Sequence, residues 1–180
     1  MMVPTVSLVR GVGRALFVLT KAVGPMPHDA VYDERYMPLG ADNMQLFART
    51  NGIPPAPGFV IFVEDVVDAY DLSWGELVVS YVLLENALRS MKCSLYTYTT
   101  RPLFLAAVGV AMKICTEHEE SSAKWAGLLA EVGVEATPRR LGKMERLMLR
   151  MLDYRVPFDA AQYSLYATEL VAFGDQDLQQ

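Results

Sequence analysis

Two charged side chains interrupt apolar helical patterns, at positions where a charge needs an ion pair or a polar partner. Lys113 follows the apolar residues 103–112, and Glu145 lies inside the apolar residues 141–152. A charge on a face that otherwise packs in a core is costly unless it is paired. The spacing indicates either a binding site built on these two charges or side chains at the edges of their stripes, whose charged ends reach water.

A second group of residues has the types that bind metals or act as nucleophiles. Cys115 and His118 have a spacing that a zinc site uses, and Glu119 follows them. A zinc site needs four ligands, however, and no second pair accompanies this one. The two residues also make a poor nucleophilic pair, because Cys115 adjoins an apolar helix and buried thiols are usually inert. We predict no catalytic residue, no metal site and no cofactor, and we do not expect an enzyme.

The elements that must position these residues are helices. Apolar residues recur at helical spacing and no alternating strand pattern occurs, so the chain is predicted to be all-α. Ser73 with Glu76 predicts a capped helix start, as do Thr137 before a proline and Asp159. Residues 103–112 are apolar on every side, which predicts a central, buried helix.

Glycines and prolines divide the chain into three regions. Residues 1–57 form an N-terminal extension with a short helix at 42–50 and a linker at 52–58, which we expect to be extended. Residues 58–171 form the main helical domain, which includes a helix at 122–132. Residues 172–180 are a polar tail. Near the N-terminus, residues 5–23 predict a small packing helix, and a targeting leader is the alternative.

Composition limits the classes of function. The chain has 180 residues, of which 52% are hydrophobic and 21% charged, enough for one domain with a sizeable core. Its net charge of −5 argues against binding to a nucleic-acid backbone. No segment approaches the ~20 apolar residues of a membrane span, so no membrane partner is expected. Cys93 and Cys115 form no disulfide framework, which favours an intracellular protein of the cytoplasm or nucleus.

The order and lengths of the predicted helices resemble a cyclin box, with Lys at the end of the third helix and Glu in the fifth. The likeness is clearest at residues 144–156, Met-Glu-Arg-Leu-Met-Leu-Arg-Met-Leu-Asp-Tyr-Arg-Val, which resemble the fifth helix and its exit. Residues 103–113 resemble the third helix. Residues 81–88 resemble the second, with Glu85 where the family usually has Asp. Over residues 58–171 the chain is most similar to the Pho-type, or plant P/U-type, cyclins.

This resemblance implies a five-helix cyclin box with extra N-terminal and C-terminal helices. It also implies a regulatory subunit that activates a cyclin-dependent Ser/Thr protein kinase by positioning the kinase αC helix. Glu85 takes a structural role. The resemblance also implies six kinase-binding residues, which are Lys113, Glu145, Leu105, Met112, Met148 and Met151. The four apolar ones are expected to be exposed, with core packing as the alternative.

Two other functions remain open from the sequence. The first is a cyclin-like adaptor in transcription or another complex, without kinase activation. A basic face on the fold would favour a DNA-binding form of it. The second is a small helical enzyme or ligand carrier, which needs a cavity with convergent polar groups. The Arg that many cyclins carry early in the first helix has no counterpart, since Ala56 or Pro57 falls near it. The usual docking patch for substrate motifs is therefore in doubt.

Overall fold

The computed structural model describes residues 5–21, 56–97, 99–115, 127, 137–155 and 159–176, and most of these are helical. The helices are α1 (Val6–Leu19), α2 (Ala56–Tyr70), α3 (Trp74–Met91), α4 (Thr100–Cys115), α5 (Pro138–Met151) and α6 (Ala160–Asp175). Two short parallel strands, β1 (Thr20–Lys21) and β2 (Leu95–Tyr96), accompany them. The all-α prediction is confirmed for the described part of the chain.

The helix α4 lies at the centre of the core. Every residue from Thr100 to Ala111 is buried, which confirms the predicted burial for residues 103–111, whereas Met112 is half-buried. The helices α3 and α5 pack against it. Phe104 of α4 also meets Phe62 of α2 edge to face, with ring centroids 5.9 Å apart. This burial fixes the position from which the C-terminal end of α4 emerges at the surface.

The short strands join the end of α1 to the start of α4. Lys21 pairs with Tyr96, and the Thr97 N–H donates to the Lys21 carbonyl at 3.1 Å. The hydroxyl oxygens of Thr20 and Thr100 are 2.8 Å apart inside this junction. Because these groups are buried, their hydrogen bonds remove the cost of taking them out of water.

The helix starts agree with the capping residues predicted from the sequence. The Glu76 N–H donates to the Ser73 hydroxyl at 3.3 Å, and the Ser73 N–H donates to the Glu76 carboxylate at 2.7 Å. Thr137 and Asp159 each accept from the N–H three residues onward, at the starts of α5 and α6. These caps satisfy donors that have no partner within the helix.

Glycines allow α1 to pack closely against α6 and α2. A Cβ on Gly11 would lie 1.8 Å from the Leu170 carbonyl oxygen, and a Cβ on Gly174 would lie 1.8 Å from a backbone oxygen of α1. A Cβ on Gly13 would lie 2.6 Å from the Cα of Val60. Real Cβ atoms essentially never come this close to backbone atoms. The prediction of a packing helix at the N-terminus is therefore confirmed.

Arg14 joins α1 to the C-terminal end of α6. Its Nη1 lies 2.9 Å from the carbonyl oxygens of Phe173 and Gly174 and 2.5 Å from that of Gln176. The last carbonyls of a helix have no intrahelical donor and carry the negative end of the helix dipole. Arg14 therefore supplies both the missing donor and a compensating positive charge.

Two boundaries differ from the predictions. The helix α2 begins at Ala56, inside the segment predicted to be an extended linker. Pro57 fits there because the first helical turn does not use its missing N–H. The helix α6 continues to Asp175, through the first part of the predicted polar tail. This extension has a physical reason, since Phe173 packs against the core and Gly174 against α1.

Several predicted features lie outside the described residues. These are the helix at 42–50, linker residues 52–55 and, apart from Gly127, the helix at 122–132. Among the helices that the structure describes, none combines the length and apolar character needed to cross a membrane.

Candidate partner-binding site

Lys113 and Glu145 form an ion pair at the edge between α4 and α5. The Nζ of Lys113 donates to both carboxylate oxygens of Glu145, at 2.6 and 2.8 Å. The Lys113 side chain is 38% exposed and the Glu145 side chain is 15% exposed. The two charges pair with each other, and Lys113 lies at the edge of its stripe, where its charge reaches water, as the second sequence interpretation predicts.

The local sequence places this pair where α4 leaves the core. α4 is buried as far as Ala111, and residues 113–115 are exposed. α5 packs its apolar row on the core side, which consists of Leu141, Met144, Met148 and Met151. Glu145 follows directly after one member of this row, so it lies on the flank of the helix rather than in the core. Its carboxylate reaches the edge at which Lys113 emerges.

The pair retains hydrogen-bonding capacity for another molecule. An ammonium has three donors, and two of those on Lys113 are used by Glu145. A carboxylate can accept further hydrogen bonds beyond the two made here. A partner that covered the pair would exclude water and strengthen its electrostatic interactions. The arrangement can therefore bind backbone or side-chain groups of a partner while remaining paired.

The prediction that the apolar kinase-binding candidates are exposed is wrong for three of the four. Leu105 is 1% exposed, Met148 is 0% exposed and Met151 is 6% exposed, so all three belong to the core. Met148 and Met151 are buried because they continue the row of α5 that faces α4. Leu105 is buried because it lies in the fully buried part of α4. Met112 is half-buried and packs against the core. The core-packing alternative is correct for Leu105, Met148 and Met151.

Two apolar residues that the sequence reasoning did not select lie beside the pair. Ile114 follows Lys113 in the chain and is 41% exposed. Leu149 lies one helical turn after Glu145 and is half-buried. Helical spacing from Glu145 could have indicated Leu149. Ile114 had no comparable signal, because the sequence does not show where α4 leaves the core.

Glu85 connects α3 to α6. The Tyr166 hydroxyl donates to its carboxylate, and Arg89 Nη2 lies 3.5 Å from its Oε1. Burial and, after it, the hydrogen bond to Glu85 raise the pKa of Tyr166. Burial, with the charge of Glu85 next, also raises the pKa of the adjacent Tyr81. Both phenols stay protonated near neutral pH, so Tyr166 can act as a donor, and this accords with the structural role predicted for Glu85.

The two cysteines are free thiols. Desolvation raises the pKa of both Cys93 and Cys115, and for Cys115 the Glu76 carboxylate adds to the effect. A thiol with a raised pKa is a weak nucleophile near neutral pH. Within the described ranges, no three His, Cys, Asp or Glu side chains cluster closely enough to hold a metal ion. His118 and Glu119, which the sequence places after Cys115, lie outside those ranges.

The chain was compared with models of protein families, with curated proteins and with solved structures. None of the three comparisons gives a significant match.

Proposed function

We propose that this protein is a cyclin, a regulatory subunit that binds and activates a cyclin-dependent Ser/Thr protein kinase. The observation that carries the proposal is the ion pair between Lys113 and Glu145. The resemblance to cyclins implies that a Lys at the end of the third box helix and a Glu in the fifth contact the kinase together. In this chain the two residues that match those positions are paired, and at least one of them is exposed to solvent.

The mechanism would be positional, and this chain would contribute no catalytic group. Phosphoryl transfer by a kinase requires an ion pair between its own Lys and a Glu on its αC helix. A cyclin holds αC inward so that this pair forms. Lys113 would donate its remaining N–H to a partner carbonyl near αC, and Glu145 would accept from a partner N–H. Ile114 and Leu149 would supply apolar contact beside these polar groups.

The energetic effect of the pair would differ between the free and the bound protein. In the free protein a partly exposed pair contributes about 0–1 kcal/mol to stability. Once a partner covers the pair, removal of one charge leaves the other desolvated and uncompensated, which typically costs about 2–5 kcal/mol. Substitution of these residues is therefore expected to affect binding far more than folding.

The test is activation of purified cyclin-dependent kinases from the source organism, with a generic Ser/Thr peptide as substrate. The wild-type protein is compared with the variant Lys113→Met/Glu145→Gln. The control variant Arg10→Met/Glu64→Gln removes one cation and one carboxylate from exposed positions on α1 and α2. Circular dichroism and thermal unfolding establish that all three proteins are folded.

We expect one kinase to be bound and activated by the wild type and by the control. In the pair variant affinity should fall at least about tenfold, because the charge-assisted hydrogen bonds to the partner, about 1.5–3 kcal/mol each, are lost. Failure of the folded wild type to bind or activate any member of the kinase panel contradicts the proposal. It would favour an adaptor that has the same fold and a different partner.

A further inference from the structure

The outward face of α5 carries a row of basic side chains. Arg139, Lys143, Arg146 and Arg150 are all exposed and follow one another at intervals of four, three and four residues. These intervals place them on one side of the helix. The only acidic residue of α5 is Glu145, whose carboxylate is already engaged by Lys113. We call these four residues the basic row.

Arg146 and Arg150 are like charges one helical turn apart, whereas Lys143 has an interaction of its own. Like charges at helical spacings of three or four residues destabilise a helix by about 0.2–0.5 kcal/mol per pair. Arg139, Arg146 and Arg150 form no ion pair with any residue that the structure describes. The whole chain is acidic, with a net charge of −5, so an unmixed basic face is not a consequence of its composition. Exposed helical faces usually mix both signs, and this difference points to an anionic partner.

The basic row is distinct from the flank of α5 that carries Glu145. At about 100° per residue, Glu145 lies about 100° around the helix from Arg146, the nearest member of the row. The core-facing residue Leu141 lies farther away still. A partner on the basic row would therefore leave the Lys113–Glu145 pair accessible. The inference goes beyond kinase activation and does not depend on it.

We infer that the basic row docks an extended segment of a partner protein in which Glu or Asp alternates with other residues. Successive members of the row are about 6, 4.5 and 6 Å apart along the helix axis. Side chains on one face of an extended peptide repeat about every 6.6 Å, so four alternate carboxylates span about 20 Å against about 16.5 Å for the row, a difference that the long Arg and Lys side chains can take up. Three of the four basic residues are Arg, whose planar guanidinium binds a carboxylate through two parallel hydrogen bonds.

The same face is poorly suited to two other anionic partners. Single-stranded nucleic acids bind through basic grooves that also offer aromatic rings for base stacking, and α5 contains no aromatic residue. An anionic membrane surface binds helices whose opposite face is apolar and unoccupied, whereas the apolar face of α5 is packed against α4. An acidic peptide needs exposed cations, and Arg139, Arg146 and Arg150 supply them.

The test measures fluorescence anisotropy of a fluorescein-labelled peptide of about twelve residues, with Glu and Ser alternating. A matched peptide with Gln in place of Glu is the ligand control. The row variant is Arg139→Gln/Arg146→Gln/Arg150→Gln. The matched variant Arg10→Gln/Lys21→Gln/Lys92→Gln removes the same charge from exposed positions on other elements. Each variant is first shown to unfold cooperatively.

We expect the Glu peptide to bind the wild type with an affinity that falls as salt is added. The row variant should bind at least about tenfold more weakly, and the matched variant should change less than about threefold. The Gln peptide should not bind. The inference is overturned if the Glu peptide does not bind the wild type at low salt, or if the two variants lose affinity equally. Tighter binding of a DNA duplex, of an oligothymidylate or of phosphatidylserine vesicles than of the Glu peptide also overturns it.

Discussion

Two helix contacts in this protein differ in the groups that meet. One is the contact between α1 and α6, and the other is the contact between α4 and α5. α1 and α6 meet backbone to backbone, where Gly11 and Gly174 leave no room for a side chain. At their edge, α4 and α5 are joined by Lys113 and Glu145, whose charged groups remain partly accessible. The first contact determines shape and tolerates no added atoms. The ion pair at the second contact adds little to stability, since the buried side chains of α5 hold these helices together, and its charged groups stay partly exposed.

The largest expected effect is at the backbone contact. Gly11→Ala places a Cβ against the Leu170 carbonyl oxygen, which can move only if α1 and α6 separate. Overpacking of this kind costs up to about 3 kcal/mol and outweighs the gain of about 1 kcal/mol in helix propensity. We expect a net loss of up to about 2 kcal/mol in the free energy of unfolding, measured in urea. A variant as stable as the wild type would show that the two helices are not in backbone contact.

Arg14→Met should give the next largest loss. This change removes the hydrogen bonds to the last carbonyls of α6 and retains most of the aliphatic part of the side chain. Hydrogen bonds from a charged donor contribute about 1.5–3 kcal/mol, so we expect a loss of about 1.5 kcal/mol in a partly exposed site. Arg10→Met, on an exposed position of the same helix, is the control and should change stability by less than about 0.5 kcal/mol. Equal effects of the two changes would exclude the capping role.

Gly142→Ala on α5 should have the opposite sign from Gly11→Ala. A Cβ there would meet only the Nη1 of Arg146 at 3.6 Å, an ordinary contact with a flexible side chain. Alanine is favoured over glycine inside a helix by about 1 kcal/mol. We expect stability to rise by up to that amount in the same urea experiment. A loss would mean that α5 is packed more closely than this structure has it.

The smallest effect on stability should come from the ion pair itself. Lys113→Met/Glu145→Gln replaces both charges together, so neither is left uncompensated. Partly exposed pairs contribute about 0–1 kcal/mol, and we expect a loss of about 0.5 kcal/mol. Thermal unfolding at low and high salt checks this. A loss above about 2 kcal/mol would show that the pair is a structural element, which would remove the contrast between the two contacts.

The features that depend on local sequence could be predicted, and those that depend on how helices meet could not. The cap formed by Ser73 and Glu76 and the buried centre of α4 follow from short-range chemistry and periodicity. The sequence pattern marked Lys113 and Glu145 because a charge on an apolar stripe needs a partner, but only the resemblance to cyclins placed the two residues in one site. Leu105 was expected to be exposed because the cyclin resemblance implied a contact with the kinase, although the apolar pattern of residues 103–112 already predicted its burial.

The close approach of α1 to α6 could not be predicted from the sequence either. Gly11 and Gly174 are far apart in the chain, and neither is marked by a turn or a capping pattern. Their requirement for glycine arises only when the two helices cross. The same holds for Glu85 and Tyr166, which are joined by a side-chain hydrogen bond between α3 and α6.

The measurement that tests the central claim most directly exchanges the two charges, as Lys113→Glu/Glu145→Lys. The exchange keeps an ion pair between α4 and α5 and reverses the charge that each position presents to a partner. If the pair binds a kinase, thermal unfolding should remain close to that of the wild type while kinase binding and activation fall at least about tenfold. Binding and activation equal to those of the wild type would contradict the account, because the pair would then serve only to join two helices.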